Sequence, residues 1–203
     1  MTEHYFTKHP ASRGGRATFT VTLRGHELHL TTEAGVFSRS RVDPGTRLLI
    51  RRLEIDPTDT VLDLGCGYGV VGVVAAMLAP QGRVTLVDIN QRAVALAQEN
   101  LRANGVENAD AIQGDAFAPV AGRRFNVIAL NPPIRAGNAV VHRLIGQARD
   151  HFEPDGRFYL VGRTQQGVVR LAAKMAEVFG QVHEVAKGGG YRVYVSLYLD
   201  VPA

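Results

Sequence analysis

A glycine-rich turn between two apolar segments, at residues 61–72, constrains the fold more than any other part of the sequence. The segment 61–64 is apolar except for Asp63, as in a fully buried strand, and the apolar run from Val70 to Leu78 predicts a helix packed on the same sheet. Glycine tolerates positive φ and lets a ligand approach the main chain closely. The turn therefore predicts a binding site, and its glycines are Gly65, Gly67 and Gly69.

Two classes of cofactor fit this turn, because the N–H groups at the start of the helix favour a phosphate or a carboxylate. Residues 67–72 have the G-x-G-x-x-G spacing of nicotinamide dinucleotide sites, with Asp88 about twenty residues later as the ribose partner. However, a buried carboxylate at Asp63 would repel a pyrophosphate. Residues 63–69 instead resemble motif I of class I S-adenosylmethionine-dependent methyltransferases, in which that carboxylate lies near the cofactor's positively charged amino acid end. This second interpretation is favoured.

Length and composition predict one domain of comfortable size in the reducing cytoplasm. The chain has 203 residues, of which 45% are hydrophobic, enough for a sizeable core. The only cysteine, Cys66, lies in the glycine turn, so neither a disulfide framework nor a metal cluster is expected. No export signal or apolar run long enough to cross a bilayer is found. The formal net charge of +4 is compatible with an anionic partner such as RNA.

Strands and helices alternate after Pro57, which predicts an α/β, doubly wound parallel sheet with helices on both faces. The predicted strands are 61–64, 83–87, 109–113, 125–130 and 157–161, and the predicted helices are 70–78, 90–103, a segment ending at Phe152 before Pro154-Asp155-Gly156, and 168–179. Two last strands, 181–185 and 191–199, have no helix between them and predict an antiparallel pair at one edge. This ending resembles class I methyltransferases, whose seven strands have the order 3-2-1-4-5-7-6 with the last strand antiparallel.

The first 55 residues predict an extension packed on the main domain, which is expected to span 56–203. An arm at 5–15 precedes alternating segments at 17–23 and 27–31, which predict a β-hairpin around Arg24-Gly25. Asp43-Pro44 then predicts the start of a short helix that continues to Arg52.

The distinctive residues of the main domain all follow predicted strands, where ligands of open α/β sheets bind. Asp88 has two acceptor oxygens for adjacent ribose hydroxyls, although it is also placed to cap a helix. Asp115 stabilises a turn or, as the resemblance implies, contacts the adenine amino group. Cys66 is expected to be a small apolar side chain, and Phe117 suits the core as well as adenine packing. The cofactor-binding residues are therefore predicted to be Asp63, Gly65, Cys66, Gly67, Gly69, Asp88, Ile89, Asp115, Ala116 and Asn131.

The most specific motif is Asn131-Pro132-Pro133-Ile134, directly after the fourth strand of the main domain. Two prolines stiffen the backbone and remove two N–H donors, which leaves carbonyl acceptors for a substrate amino group, and Asn131 adds a side-chain carbonyl. Accepting the N–H bonds would stabilise the positive charge that develops on the attacking nitrogen. The motif matches motif IV of methyltransferases that act on planar amino groups. We therefore predict Asn131, Pro132 and Pro133 as catalytic residues.

Five segments together resemble the methyltransferase small domain family, which includes the catalytic halves of bacterial ribosomal RNA guanine-N2 methyltransferases; they are 35–38, 43–46, 63–69, 131–137 and 190–193. The resemblance implies S-adenosylmethionine as cofactor and ribosomal RNA as partner. Ile134 replaces the aromatic residue that would stack on a flipped base, so Phe37 or Tyr68 is expected to supply that contact. The predicted substrate-binding residues are Phe37, Ile134 and Arg135, and further surface contacts to RNA are expected from His142, Arg143, Lys187 and Arg192.

Alternative functions stay open at this point. The same Asn-Pro-Pro motif occurs in enzymes that methylate a glutamine amide of a protein, so the motif does not discriminate between amide and RNA substrates. A catalytically idle binding module with the same fold is a second alternative, and a nicotinamide oxidoreductase is a third. The sequence predicts no metal and no membrane partner, and it leaves the oligomeric state undetermined.

Overall fold

The computed structural model describes residues 15–36, 41–132 and 137–199. Within these ranges, nine strands form a two-stranded hairpin and a seven-stranded sheet. The strands are β1 (Arg16–Leu23), β2 (His26–Glu33), β3 (Thr60–Leu64), β4 (Arg83–Asp88), β5 (Ala109–Gln113), β6 (Phe125–Leu130), β7 (Phe152–Arg163), β8 (His183–Gly188) and β9 (Tyr191–Leu197). The helices are α1 (Pro44–Arg52), α2 (Val70–Leu78), α3 (Gln91–Ala103), α4 (Asn138–Ala148) and α5 (Val168–Phe179).

The large sheet has the strand order β5-β4-β3-β6-β7-β9-β8. The pairings from β5 to β7 are all parallel, and β9 is antiparallel to both of its neighbours. Counted from β3, this order is 3-2-1-4-5-7-6. The predicted doubly wound fold, the antiparallel last strand and the N-terminal hairpin are therefore confirmed.

Side chains of each central strand alternate between two cores, one on either face of the sheet. In β3, Val61 packs into the core beneath α1, α2, α3 and the hairpin, whereas Leu62 and Leu64 pack into the core beneath α4 and α5. All three are almost fully buried. Because both faces are covered, the strand is apolar along its length, as in other parallel sheets. Asp63 is the exception and therefore requires a separate explanation.

The segment after α4 differs from the sequence prediction. The helix ends at Ala148, and Phe152, predicted to be its last apolar residue, begins β7 instead and pairs with Phe125. Phe152 is fully buried and packs against the rings of Phe158 and Tyr198. The predicted stop signal 154–156 lies in an irregular part of β7 rather than after a helix. The spacing of Phe152 from Ala148 suits a helix, but aromatic packing between strands determines its position.

The hairpin docks on α3 through two asparagine side chains that replace a neighbouring strand. Asn100 accepts a hydrogen bond from the N–H of Thr31 and donates to the carbonyl of Thr31, at 2.7 and 2.9 Å. Asn104 makes the same pair of bonds to His29, at 2.9 and 2.8 Å. Asn100 also donates to the carbonyl of Tyr68 in the glycine turn, at 2.8 Å. The free edge of β2 is thereby covered, and the hairpin is joined to the turn.

We expect Asn100→Ala to lower the free energy of unfolding by about 2 to 4 kcal/mol, because it leaves partly buried backbone groups of Thr31 and the buried carbonyl of Tyr68 without partners. Chemical denaturation measures this loss. Asn104→Ala is the matched control, and its bonds to His29 are exposed, so a loss of about 1 kcal/mol is expected. Equal losses in the two variants would contradict the importance given to the buried bond to Tyr68.

Candidate active site

The segments predicted to bind ligands lie together at one edge of the sheet. Leu64 at the end of β3 pairs with Leu130 at the end of β6, and on its other side with Val87 of β4. In turn, Asp88 pairs with Gln113 at the end of β5. The glycine turn begins after β3 and the Asn-Pro-Pro segment begins after β6, and these two strands are parallel neighbours. The two segments therefore begin side by side, as the sequence interpretation requires.

A cavity of about 400 Å³ opens at this edge, within the size range of small-molecule sites. Of the ten predicted cofactor-binding residues, nine line the cavity: Asp63, Gly65, Cys66, Gly67, Asp88, Ile89, Asp115, Ala116 and Asn131. Pro132 also lines it. Phe37, Pro133, Ile134 and Arg135 lie outside the described residues, so their predicted roles stay predictions.

The glycines of the turn divide into two groups. Gly65 and Gly67 have φ of +71° and +57°, and a Cβ added to either would meet nothing within 4 Å. These two positions leave open space for a ligand against the main chain. Gly69 has a different role, because an added Cβ would lie 2.9 Å from Cβ of Ala97, and Gly69 is the residue at the N-cap of α2. Gly69 is not one of the described residues that line the cavity, so the structure supports a packing role for it, and its role in cofactor binding stays a prediction.

Asp63 is a carboxylate held in a place that disfavours charge. It is buried, and Oδ2 accepts a hydrogen bond from the N–H of Gly72 at 2.9 Å. Desolvation raises the pKa of Asp63 to about 7; the Gly72 bond opposes this shift, and the nearby carboxylate of Asp88 adds to it. A positively charged group in the cavity would stabilise the ionised form. This is the environment expected of a partner for the amino group of an amino acid.

Asp88 supports the turn and also faces the cavity. One carboxylate oxygen accepts from the N–H of Gly67 and the other from the N–H of Asn90, both at 2.8 Å. The alternative role of helix cap belongs to Asn90, whose side chain accepts from the N–H groups of Arg92 and Ala93. Burial raises the pKa of Asp88, against the effect of these two bonds. A carboxylate has about four acceptor positions, and the N–H of Ile89 also acts on Asp88, so acceptor capacity remains for a ligand hydroxyl.

Two further predictions from the turn and the loop after β5 can be assessed. Burial raises the pKa of the Cys66 thiol well above its ordinary value, and the carboxylates of Asp88 and Asp63 add to this effect. Such a thiol is a poor nucleophile, in agreement with its prediction as a small apolar side chain. Phe117 is buried and stacks on His151 with ring centroids 4.5 Å apart, so it belongs to the core rather than to the cavity.

Asp115 lies at the exposed end of the cavity, where Arg143 of α4 binds it. The guanidinium contacts the two carboxylate oxygens at 3.2 and 3.4 Å, and both side chains are about half exposed. Such exposed pairs contribute little to stability. Of the other predicted RNA contacts, Arg192 is paired with Glu184, Lys187 is exposed and His142 is half-buried.

Asn131 has a defined side-chain orientation. Its Nδ2 donates a 2.9 Å hydrogen bond to Oγ1 of Thr46, in the first turn of α1. Because the two polar atoms of an amide point to opposite sides, this bond leaves Oδ1 as the acceptor on the side away from Thr46. A substrate amino group requires an acceptor of this kind.

The sequence interpretation missed several residues of the cavity wall. Among them are Val36, Thr46, Ala93, Val140 and Leu144. Thr46 belongs to a segment that predicted a helix start and formed part of the family resemblance, but not a cavity wall; Val140 and Leu144 belong to the helix whose predicted end was Phe152. Tyr68, proposed as a base-stacking residue, does line the cavity, but it is almost fully buried and meets Phe19 edge-on.

Comparison with known proteins identifies the class to which this fold and site belong. The family model named Methyltransferase small domain matches residues 27–195. Ribosomal RNA small subunit methyltransferase C of Pseudomonas aeruginosa is 33% identical over 187 residues, which are 87% of this chain and 53% of that protein. The solved structure of the T. thermophilus 16S rRNA guanine-N2 methyltransferase RsmC, in complex with AdoMet and guanosine, has a TM-score of 0.80 at 27% identity and covers 90% of this chain and 50% of its own.

The fold and site define a class I S-adenosylmethionine-dependent methyltransferase domain. The cofactor predicted from residues 63–69 is therefore confirmed. More narrowly, the chain belongs to the methyltransferase small domain family. It is also 36% identical over 195 residues to the uncharacterized protein YbxB of Bacillus subtilis, covering 95% of this chain and 97% of YbxB. In contrast, the chain spans about half the length of the curated ribosomal RNA methyltransferases it matches.

The open turn and its two carboxylates fit this cofactor. Gly65 and Gly67 leave room along the main chain, Asp63 suits a cationic amino acid end, and Asp88 retains acceptor positions for ribose hydroxyls. Among the described residues, no group of His, Cys, Asp and Glu is arranged to hold a metal ion. None of the helices in the described ranges is both long and apolar enough to cross a membrane.

The raised pKa of Asp63 predicts pH-dependent cofactor binding. Only the ionised carboxylate attracts the cofactor's ammonium group, and ionisation increases as the pH rises through about 7. We expect S-adenosylmethionine affinity to increase severalfold between about pH 5.5 and 7.5 in calorimetric titrations. Asp63→Asn should lower the affinity at least about tenfold and remove this pH dependence.

Asp110→Asn is a suitable control, because Asp110 is an exposed carboxylate on β5 outside the cavity lining. A second measurement tests the pKa itself. Folding raises the pKa of Asp63 from 3.8 to about 7, so the folded state binds one more proton than the unfolded state between these values, and stability decreases as the pH rises from about 4 to about 7. The cofactor-free protein should therefore lose part of its thermal stability over this range, and Asp63→Asn should lose less. An affinity that is constant with pH would contradict the role assigned to Asp63.

Proposed function

We propose that this protein transfers a methyl group from S-adenosylmethionine to an exocyclic amine of ribosomal RNA, with N2 of guanine as the best supported acceptor. The observation that carries the proposal is the position of Asn131, which leaves β6 beside the glycine turn and presents Oδ1 on the side of its amide away from Thr46. RsmC, which is similar over 90% of this chain, is a guanine-N2 methyltransferase of 16S rRNA and was solved with guanosine. The net charge of +4 also favours an anionic substrate.

Different residues of the cavity would bind the methyl donor and the methyl acceptor. Asp63, Asp88, Asp115 and the open glycines would hold the cofactor along the ends of β3, β4 and β5. The cofactor supplies an activated methyl group on its sulfonium. We propose a cytoplasmic site of action, which rests on the proposed ribosomal RNA substrate.

Asn131 and the proline segment would orient the acceptor. The lone pair of an aromatic amine is delocalised into its ring, so the amine is a poor nucleophile. Oδ1 of Asn131 accepts one N–H bond, and the Pro132 segment contributes carbonyl acceptors without competing N–H donors. These bonds favour a pyramidal nitrogen and stabilise its developing positive charge. Once methylated, the nitrogen releases a proton to water or Asn131, so no strong base is required. Orientation of the two reactants can supply roughly 7 to 11 kcal/mol of the barrier.

We expect Asn131→Ala to reduce methyl transfer at least about a hundredfold while the dissociation constant of S-adenosylmethionine changes no more than a few-fold, because the amide acts on the acceptor. The assay uses labelled cofactor and ribosomal RNA from a strain lacking the protein, followed by mapping of the modified base. Asn108→Ala is the matched control; Asn108 caps the end of α2 through the carbonyls of Ala76 and Ala79, outside the cavity lining. Equal loss of turnover and cofactor binding would contradict the role of Asn131.

Binding at several salt concentrations distinguishes RNA from a protein amide as the substrate. Each phosphate contact made by a lysine or arginine releases counterions, so the affinity for RNA should decrease steeply as salt increases. Filter binding with ribosomal RNA fragments measures this slope. A flat slope, together with label in protein rather than RNA, would favour methylation of a glutamine amide and contradict the proposal.

A further inference from the structure

Two segments identified in the sequence, 43–46 and 190–193, lie beyond the cavity wall and bind each other. Oη of Tyr191 donates a hydrogen bond to Oδ1 of Asp43 at 2.9 Å, in a buried position. Nε of Arg163 donates to the same Oη at 2.8 Å, and its guanidinium lies 4.8 Å from the centroid of the Tyr191 ring. The start of β9 and the end of β7 are thereby attached to the residue that precedes α1.

Asp43 also forms a hydrogen bond with the first turn of α1. As the N-cap residue, it uses its second carboxylate oxygen, Oδ2, to accept from the N–H of Thr46 at 3.1 Å. The contact with Tyr191 is close, because a Cβ added to Gly45 would lie 2.5 Å from the tyrosine ring. Asp43, Thr46 and Tyr191 are each at most 9% exposed. Such buried and connected polar groups hold one geometry.

Thr46 is the last member of this series and the only one of the four that lines the cavity among the described residues. Its Oγ1 accepts the 2.9 Å hydrogen bond from Nδ2 of Asn131. If the amide were rotated by half a turn, Nδ2 would face the substrate amine and two donors would meet. Because a threonine hydroxyl can donate as well as accept, the bond to Thr46 fixes the plane of the amide, and the orientation in the structure, with Nδ2 on Thr46, is the one that turns the acceptor to the substrate.

We propose that Thr46 is a positioning residue for methyl transfer, which keeps Oδ1 of Asn131 directed at the acceptor amine, and that Asp43, Tyr191 and Arg163 hold Thr46 in place for this task. The inference rests on the proposed function of Asn131. It gives a role to the segments 43–46 and 190–193, which carry the family resemblance together with the Asn-Pro-Pro segment. Thr46 does not touch the reacting atoms in this scheme. Its effect on the reaction passes through the asparagine amide.

The test compares Thr46→Val, which keeps the shape but removes the hydroxyl, with Thr46→Ser, which keeps the hydroxyl. Loss of one orienting hydrogen bond should lower kcat about tenfold in Thr46→Val, with KM for RNA and the dissociation constant of S-adenosylmethionine within about twofold of the wild type. Thr46→Ser should retain at least about a third of the wild-type kcat. Tyr191→Phe should change kcat in the same direction as Thr46→Val but less, because it acts one bond further away.

Thr32→Val is the matched control. Thr32 is a fully buried threonine of β2 outside the cavity lining, and its hydroxyl has no hydrogen-bond partner in the structure. The same change of side chain there should leave kcat unchanged. Thermal unfolding of all variants establishes that each is folded at the assay temperature.

A second measurement does not depend on the RNA assay. The side-chain ¹⁵NH₂ resonances of Asn131, assigned by their loss in Asn131→Asp, should shift in Thr46→Val and return toward the wild-type position in Thr46→Ser. If the wild type methylates no RNA, the proposed function fails while these resonances still report whether Thr46 holds the amide. Unchanged resonances in Thr46→Val, an unchanged kcat, or a kcat loss matched by weaker cofactor binding would each overturn the positioning role.

Discussion

The active site depends on the direct pairing of β3 with β6. These strands are separated by about sixty residues in the sequence, yet their ends lie side by side because Leu64 pairs with Leu130 in a parallel register. The reversal of strand order at this point leaves a crevice at the carboxyl edge, and ligands of doubly wound sheets bind there. Neither the glycine turn nor the asparagine corner defines a reaction alone. Their adjacency makes a donor site and an acceptor site parts of one cavity.

The second constraint is electrostatic. Among the described residues, three carboxylates line the cavity, and burial raises the pKa of two of them, Asp63 and Asp88, with the Asp88 carboxylate adding to the rise at Asp63. Backbone N–H groups from Gly72, Gly67 and Asn90 offset part of this cost. The arrangement is poor for an anionic pyrophosphate and suitable for a cationic ligand. The preference against a nicotinamide cofactor, first argued from Asp63 in the sequence, therefore agrees with the environment of both carboxylates.

Much of the fold could be predicted from the sequence, because local patterns determine it. The parallel strands are apolar runs, the turns contain glycine, and the hairpin ending indicates an antiparallel edge. Local patterns failed where a tertiary contact decides the outcome. Phe152 has helical spacing but packs among aromatic rings of β7 and the C-terminal segment, and Asn90 rather than Asp88 caps α3. The glycines of the turn look equivalent in the sequence, although Gly69 is required by Ala97, which lies about thirty residues away.

The candidate site shows the same division. Residues that follow strand ends could be predicted, since topology alone brings them together. Thr46 could not, because its relation to Asn131 crosses from the first helix to the fourth strand of the main domain and depends on the side-chain bonds of Asp43 and Tyr191. The N-terminal extension has a similar hidden connection: Asn100 joins the hairpin to the carbonyl of Tyr68, and Val36 lines the cavity. The described residues before β3 therefore contribute walls and supports to the site, so changes in the hairpin and changes in the glycine turn should not be independent in their effects on stability.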